Sequence, residues 1–390
     1  MTEAGNERGG TAHPFTVDGN QLTLLVEGKD RLETLVALID GARRSLRLLY
    51  YIYSEDGAGR RVRDALAAAV ERGVTVSLIV DGFGSDATQG FFEPLRAGGA
   101  SVCRFEPRLG RRYLLRNHQK LALADEEKVI IGGFNVSDDY FGVSADQAWR
   151  DLGLLVEGPA AGRLAGYFDA LSKWAQTPHA RMRSLRRALK SWSEPEGKAR
   201  WLLGGPTRRL SPWALAVKRD MRFAKRLDII AAYFAPNPAM LRRIEAVPRQ
   251  GGEARVLTAA KSDNNATIGA ARHTYRRLLR RCVRIFEYQP TKLHTKLFVI
   301  DDAVHIGSAN FDMRSLYLNL ELMLRIEDRA FADHMRGYFE GELAKSNEIT
   351  REEHRRVGPI ERMKWAAAYF VVAVVDYGVS RRLNFGIEAD

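Results

Sequence analysis

Apolar positions along this chain fall into two kinds of run. Short blocks rich in Val, Ile and Leu alternate with longer stretches in which apolar residues recur every three or four positions. That is the rhythm of strands and helices taken in turn. From Leu22 the order reads as a strand over residues 46–53, an Ala-rich helix over 60–72 and a strand over 74–80. A turn at Asp81-Gly82-Phe83-Gly84 leads towards a strand over 101–105, and a helix over 160–175 closes the first half. A second half repeats the order, with a strand over 227–232, a helix over 238–246 and a strand over 254–258. A basic helix over 267–281 and a strand over 283–288 follow, then a strand over 321–326 and a helix over 329–345. Alternation of this kind specifies an α/β fold. Its repetition specifies an internal duplication into two similar α/β units, whose sites are expected to face one another across a pseudo-twofold axis as one shared active site.

The duplication is sharpest in one polar pattern. His118-Gln119-Lys120, with Asp125 after four further residues, is followed by Gly132-Gly133-Phe134-Asn135. His294-Thr295-Lys296, with Asp301 at the same spacing, is followed by Gly307-Ser308-Ala309-Asn310. The two histidines stand 176 positions apart, and so do the lysines and the aspartates. The Gly and Asn stand 175 apart, the first copy having one extra residue in the gap. A lone His-x-Lys is common by chance, but two copies of a four-part pattern in nearly identical register are not. Each copy reads as a β-hairpin whose turn carries Asp125 or Asp301, where Asp is favoured for structural reasons. Side chains two apart on a strand share a face, so each His and Lys point the same way. The returning strand brings Asn135 or Asn310 back towards them, and the glycines Gly132, Gly133 and Gly307, with Ser308, allow close backbone approach.

Two His, two Lys and two Asn in one pocket suit phosphodiester chemistry. One imidazole attacks phosphorus and the other protonates the leaving alcohol. The ammonium and amide groups hold the non-bridging oxygens through the transition state. The covalent phosphohistidine then passes to water or to a second alcohol. The lysines carry the positive charge, so no metal and no cofactor are expected. Each imidazole needs an orienting acceptor. Asp151 and Glu321, each opening an apolar stretch shortly after its motif, are the candidates. His305, His179, His273 and His354 lack any motif context and read as structural or surface residues. Arg150 and Arg314 suit either a phosphate or a structural ion pair.

These residues resemble the phospholipase D superfamily, whose signature is this paired motif. The resemblance runs from about Leu22 to Glu342. The flanking stretches Tyr51-Ile52-Tyr53, Trp149-Arg150-Asp151, Tyr233-Phe234-Ala235-Pro236 and Gly307-Ser308-Ala309-Asn310-Phe311-Asp312-Met313-Arg314-Ser315 are similar to bacterial cardiolipin synthases. The resemblance implies a phosphohistidine intermediate, a phospholipid substrate and a nucleophile from the N-terminal motif, which is His118. It also implies the synthesis of cardiolipin from two phosphatidylglycerol molecules. Two departures stand out. Gly133 occupies a position where the superfamily pattern often has Ser, removing hydroxyl support from the first site. The chain also shows no N-terminal membrane helices of the kind the longest synthases carry, and so looks like the shorter type.

Composition narrows the partners. The formal net charge is +12 and the pI about 9.7. This favours an anionic partner: a phospholipid, a membrane surface, or nucleic acid. The two rivals are a phospholipase D that hydrolyses or serves another alcohol, and a nuclease. No aromatic-basic platform for stacking bases is evident, so nucleic acid is the lesser expectation. Cys103 and Cys282 sit on similar strands of the two halves and are not expected to bridge. Residues 1–19 read as a disordered tail without a signal core, which suggests the cytoplasmic face of the membrane. The first unit is expected over 20–190, a linker over 191–200, the second unit over 201–346 and an extension over 347–390. In that extension Trp365 to Val375 is an uncharged run of eleven residues flanked by cations. It is short for a spanning helix and suits either a membrane interface or core packing. Internal duplication means no oligomer is required to complete the site.

Overall fold

Two eight-stranded sheets carry the two halves of the chain. The computed structural model describes residues 14–106, 115–142, 148–178, 180–207 and 209–375. The first half supplies β1 (Phe15–Val17), β2 (Asn20–Leu25), β3 (Ser45–Tyr50), β4 (Thr75–Asp81), β5 (Ser101–Phe105), β6 (Leu121–Ala124), β7 (Lys128–Gly132) and β8 (Gly153–Glu157). They are ordered β1-β2-β8-β7-β6-β3-β4-β5. The second half supplies β9 (Ala199–Gly204), β10 (Arg226–Ala231), β11 (Phe234–Ala235), β12 (Glu253–Ala259) and β13 (Arg284–Tyr288). It continues with β14 (Lys296–Ile300), β15 (Ala303–Gly307), β16 (Phe311–Asp312), β17 (Glu321–Glu327) and β18 (Ser346–Ile349). Its sheet runs β18-β13-β12-β10-β14-β15-β17-β9, while β11 and β16 pair by themselves.

Seven consecutive strands match, β2-β8-β7-β6-β3-β4-β5 with β9-β17-β15-β14-β10-β12-β13, while β1 and β18 extend opposite ends. In each, three parallel strands (β3-β4-β5 and β10-β12-β13) join an antiparallel run through the motif hairpin (β6-β7 and β14-β15). Both strands β6 and β14 are buried along their whole length. Burial on both faces is why they read as continuous apolar runs rather than alternating ones. One buried cluster contains Leu121, Leu123 and Ile131 together with Leu297, Val299 and Ile306, so the facing sides of the two sheets share a core. Separate clusters lie behind each sheet, under its helices.

Three boundaries differ from the sequence reading. Phe15–Val17 pairs antiparallel with Asn20–Leu25, so the first unit begins inside the stretch read as a tail; residues 1–13 lie outside the described ones. Ala199–Gly204 pairs with Glu321–Ile326 and is the counterpart of β2, so the second unit starts within the expected linker. Ser346–Ile349 pairs with β13, which carries that unit past residue 346. All three are edge strands, and β1 and β18 are only three and four residues long.

The hairpin aspartates act as clamps. Asp125 and Asp301 both take positive φ, at 54° and 48°. The Asp125 carboxylate accepts the backbone N–H groups of Arg43, Arg44 and Ser45 at 2.9, 2.7 and 2.9 Å, and Asp301 accepts those of Lys225 and Arg226 at 2.9 and 2.8 Å. Each ties the motif hairpin to the start of the neighbouring strand. Asp125→Ala and Asp301→Ala are expected to cost about 1–3 kcal/mol each, from lost hydrogen bonds to a charged acceptor. Denaturant unfolding measures that cost, and activity per folded molecule is expected to change little.

The apolar run of the tail continues a helix. Pro359–Tyr369 is helical, Phe370–Val375 follows as a wider turn, and Trp365 and Ala373 are buried. Tyr369 stacks on His273 at 4.8 Å and Trp365 on His354 at 5.5 Å, so both histidines serve packing against this helix. Among the described residues no helix is long and apolar enough to cross a membrane. His305 is buried and bonds Asp220 at 2.7 Å beside Arg325, a structural ion cluster. Cys103 and Cys282 are both free, and His179 lies outside the described residues.

Candidate active site

The sheet pairing brings the two motifs together at the junction of the halves. Asn117 bridges to Leu320 and Arg150 to Leu293, and the His118 and His294 amides donate to the Leu320 and Arg150 carbonyls at 2.9 and 2.7 Å. These cross-half pairings begin before the regular strands do. Both histidines therefore precede their hairpin strand, and their backbone N–H groups pair with the opposite half.

The orienting carboxylates are exchanged between the halves. His118 Nδ1 lies 3.1 Å from Glu321 Oε2, and His294 Nδ1 lies 2.6 Å from Asp151 Oδ2. Each histidine thus takes its acceptor from the other unit, and each leaves Nε2 for chemistry. Asp151 is held below the usual carboxylate range: its burial opposes this, but the Lys296 ammonium and His294 outweigh it. As an ionised acceptor it fixes the proton on Nδ1. The Lys296 Nζ, 2.7 Å from that same nitrogen, consequently gives its hydrogen bond to the His294 carbonyl. Lys120 Nζ likewise donates to the His118 carbonyl, at 2.7 Å.

Burial sets the charge state of the site. It pushes His118 down, helped by Lys120 and opposed by Glu321. It pushes His294 down to about 3, with Lys296 adding to the effect and Asp151 opposing it. Lys120 falls well below an ordinary lysine, again through burial, and Lys296 is pushed down to about 8. Burial therefore favours neutral imidazoles and works against the positive charge on both lysines. Such a site is poised for an anion, which would stabilise every positive charge in it. Among the described residues no cluster of metal-ligating side chains occurs.

The asparagines lie at the same junction. Asn135 is buried, with its Oδ1 accepting the Ile52 N–H at 3.0 Å, and it also bonds the Tyr140 hydroxyl. Asn310 is buried too, and its Oδ1 has no protein partner among the described residues.

Several further residues support the site. Ser308 and Ser315 donate to the Glu321 carboxylate at 2.5 and 2.8 Å. The Gln119 amide reaches the Glu321 carbonyl at 3.0 Å. Arg31, fully buried on an early helix, donates to the Asp151 carbonyl at 2.7 Å. Asp81 accepts the Asn117 N–H at 2.8 Å and fixes the segment before His118. Tyr51 packs on His118 at 5.1 Å, and Trp149 and Tyr140 pack on His294 at 5.2 Å each. Arg150 is an ion-pair residue: its guanidinium is bidentate to Glu342 and also bonds Glu27.

The crossing changes what Gly133 means. A Cβ there would sit 2.4 Å from Asp151 Oδ1, so the carboxylate occupies the space a serine side chain would need. In the other half Ser308 coexists with the longer Glu321 and bonds it. Because Asp151 serves His294, the missing hydroxyl belongs to the second histidine's support and not to the first. Gly132 and Gly307 stand where a Cβ would meet the carbonyls of Leu152 and Leu322, which is why the returning strand needs glycine.

A family profile described as "Cardiolipin synthase, PLD-like domain" matches residues 35–172 and 221–343. The chain belongs to this family. Among the relatives of this cardiolipin synthase, phospholipase D-like family is Cardiolipin synthase A of Pseudomonas entomophila. It is 30% identical over 366 residues, covering 91% of this chain and 75% of the relative. Cardiolipin synthase A of Pseudomonas aeruginosa is 29% identical over 369 residues, covering 92% and 74%. Phosphatidylserine synthase of Haemophilus influenzae shares the fold, with a TM-score of 0.70 at 12% identity over 92% of this chain and 95% of that one. The chain is accordingly a phospholipase D-like, phospholipid-metabolising enzyme of the cardiolipin synthase type.

Proposed function

We propose that the enzyme transfers a phosphatidyl group from one phosphatidylglycerol to a hydroxyl of a second, releasing glycerol and forming cardiolipin. The observation that carries the chemistry is the crossed pair, in which two imidazoles with acceptors on Nδ1 stand beside two buried lysines. The names of the relatives carry the choice of lipid.

In the first step His118 Nε2 attacks phosphorus. The arriving phosphodiester raises the pKa of the opposing imidazole, which becomes imidazolium and protonates the departing glycerol oxygen. The bond from phosphorus to that oxygen breaks, leaving a phosphatidyl-histidine. Glu321 receives the positive charge that develops on the attacking ring, and Ser308 and Ser315 hold Glu321 in place. Lys120, Lys296, Asn135 and Asn310 hold the non-bridging oxygens. In the second step His294, now neutral, takes the proton of the incoming hydroxyl, and the phosphatidyl group leaves His118.

Mass spectrometry of lipid products from phosphatidylglycerol vesicles tests the reading. Cardiolipin with free glycerol supports it. Phosphatidic acid alone would assign hydrolysis, and no lipid turnover, with wild type equal to the His118→Ala variant, would overturn it.

The lysine predicts a pH limb. Lys296 is charged below about pH 8 and loses its proton above it. Its stabilisation of the phosphoryl oxygens is complete on the acidic side and disappears as pH rises. A kcat/KM profile is expected to fall above about pH 8 for this reason. Lys296→Arg, whose guanidinium keeps its proton, is expected to lose that limb at a lower overall rate.

A further inference from the structure

A second cationic site lies away from the catalytic pocket. A cavity of about 70 Å³ between helices Asn265–Leu279, Arg351–Arg356 and Pro359–Tyr369 is lined by Arg276, Arg280, Arg351, Arg355, Arg362 and the buried His354. Arg362 is anchored by donating to the carbonyls of His354 and Arg355, while its Nε is buried without a partner. Among the described residues no carboxylate pairs with Arg276, Arg280, Arg351 or Arg355. The nearby acids are engaged elsewhere: Glu352 with Arg356, Glu353 with the Thr350 cap, and Glu361 with Lys364 and Trp365. The lining is thus rich in positive charge, and the Arg362 and Arg276 charges add to burial in pushing His354 down. An anion relieves this, and the planar guanidinium fork matches phosphate oxygens.

The neighbouring surface says which anion. The same terminal helix exposes Ile360 and Met363 at 68% each, and its continuation exposes Phe370 at 56% and Val371 at 52%. Ile360, Met363 and Phe370 are spaced by three and seven residues, so they share one side. Arg362 and Lys364 flank that stripe. An apolar face bordered by cations matches the boundary between headgroups and acyl chains. Free phosphate would account for the arginines but not for the stripe.

We propose that this corner binds the phosphate headgroup of an anionic phospholipid in a bilayer surface, with the exposed stripe lying among the acyl chains. The site is separate from the catalytic one. Asp263, just before helix Asn265–Leu279, bonds Tyr233 and bears electrostatically on His294, whereas Arg276 lies at the far end. At about 1.5 Å of rise per residue, the two ends are roughly 20 Å apart. The site holds the enzyme on the surface from which its substrates come, and binding does not depend on which reaction the catalytic residues perform.

Co-sedimentation of the full chain with vesicles, read as bound fraction rather than product, tests this. Vesicles of phosphatidylglycerol and of neutral phosphatidylcholine would be compared. The proteins are wild type, Arg280→Ala/Arg351→Ala/Arg355→Ala, Met363→Ser/Phe370→Ser, and His118→Ala. Thermal unfolding confirms that each is folded. The expected result is at least a tenfold loss of affinity for phosphatidylglycerol in both multiple variants, weak binding of all proteins to phosphatidylcholine, and no change for His118→Ala. Wild-type affinity in the triple arginine variant would overturn the proposal. If the arginine variant loses affinity for inorganic phosphate while Met363→Ser/Phe370→Ser binds vesicles normally, the pocket takes free phosphate and the lipid assignment fails.

Discussion

His118→Ala and His294→Ala are each expected to lower phosphatidyl transfer by at least about 10³-fold, and the double variant to be no worse than the poorer single one. General acid–base help alone supplies about 10²–10⁴, and loss of a covalent route adds to it. Residues that act as a unit are grossly non-additive. Neither change leaves a charged partner without protein contacts: Glu321 keeps Ser308 and Ser315, and Asp151 keeps the Leu152 N–H. Thermal unfolding is therefore expected to move little, separating catalysis from folding. The two roles separate with a leaving group that needs no proton. A nitrophenyl ester of phosphatidic acid is expected to restore turnover to His294→Ala, which lacks the acid, but not to His118→Ala, which lacks the nucleophile. Restoration in the opposite variant would reverse the assignment, and restoration in neither would remove the division of labour.

What could be read in the chain, and what could not, follows from the range of the interactions. The hairpins at Leu121–Gly132 and Lys296–Gly307 are local, and their apolar blocks and turn aspartates specify them directly. The repeated order of strand and helix specified the duplication for the same reason. Asp151 and Glu321 were legible as carboxylates near each motif, but their partners were not. Sequence proximity suggests that each serves its own half, whereas the bridges Asn117 to Leu320 and Arg150 to Leu293 hand each one to the other. Arg31 was invisible because one arginine in an amphipathic helix carries no pattern; only tertiary packing brings it to the Asp151 carbonyl. Strands β1, β9 and β18 sit at or near the edges, where a few residues suffice and no hairpin partner lies adjacent in sequence for β9 and β18.

The exchange of carboxylates makes a second large effect predictable. Asp151→Asn and Glu321→Gln are each expected to lower the rate by about 10²–10⁴-fold, because an amide neither fixes the Nδ1 proton nor stabilises an imidazolium. The deficits are expected to belong to the histidine in the opposite half. Glu321→Gln combined with His118→Ala would then cost no more than His118→Ala alone, and Asp151→Asn combined with His294→Ala likewise. The within-half pairs, Glu321→Gln with His294→Ala and Asp151→Asn with His118→Ala, separate less cleanly, since one site serves both steps. Nitrogen-15 NMR of the imidazoles therefore provides the sharper readout. The tautomer of His118 is expected to change in Glu321→Gln and to persist in Asp151→Asn, with the converse for His294. The same geometry governs Gly133. Gly133→Ser places a side chain where Asp151 Oδ1 now sits, 2.4 Å from the new Cβ. Displacing that carboxylate is expected to cost about as much as removing it, within the same range. Adding Asp151→Glu reproduces the Ser308–Glu321 pairing of the other half, whose longer side chain accommodates the hydroxymethyl group and accepts its hydrogen bond. The double variant is expected to recover at least tenfold over Gly133→Ser. If it does not, Gly133 is required for a reason other than its contact with Asp151, and the matching of Gly with Asp and of Ser with Glu is not what holds the two histidines.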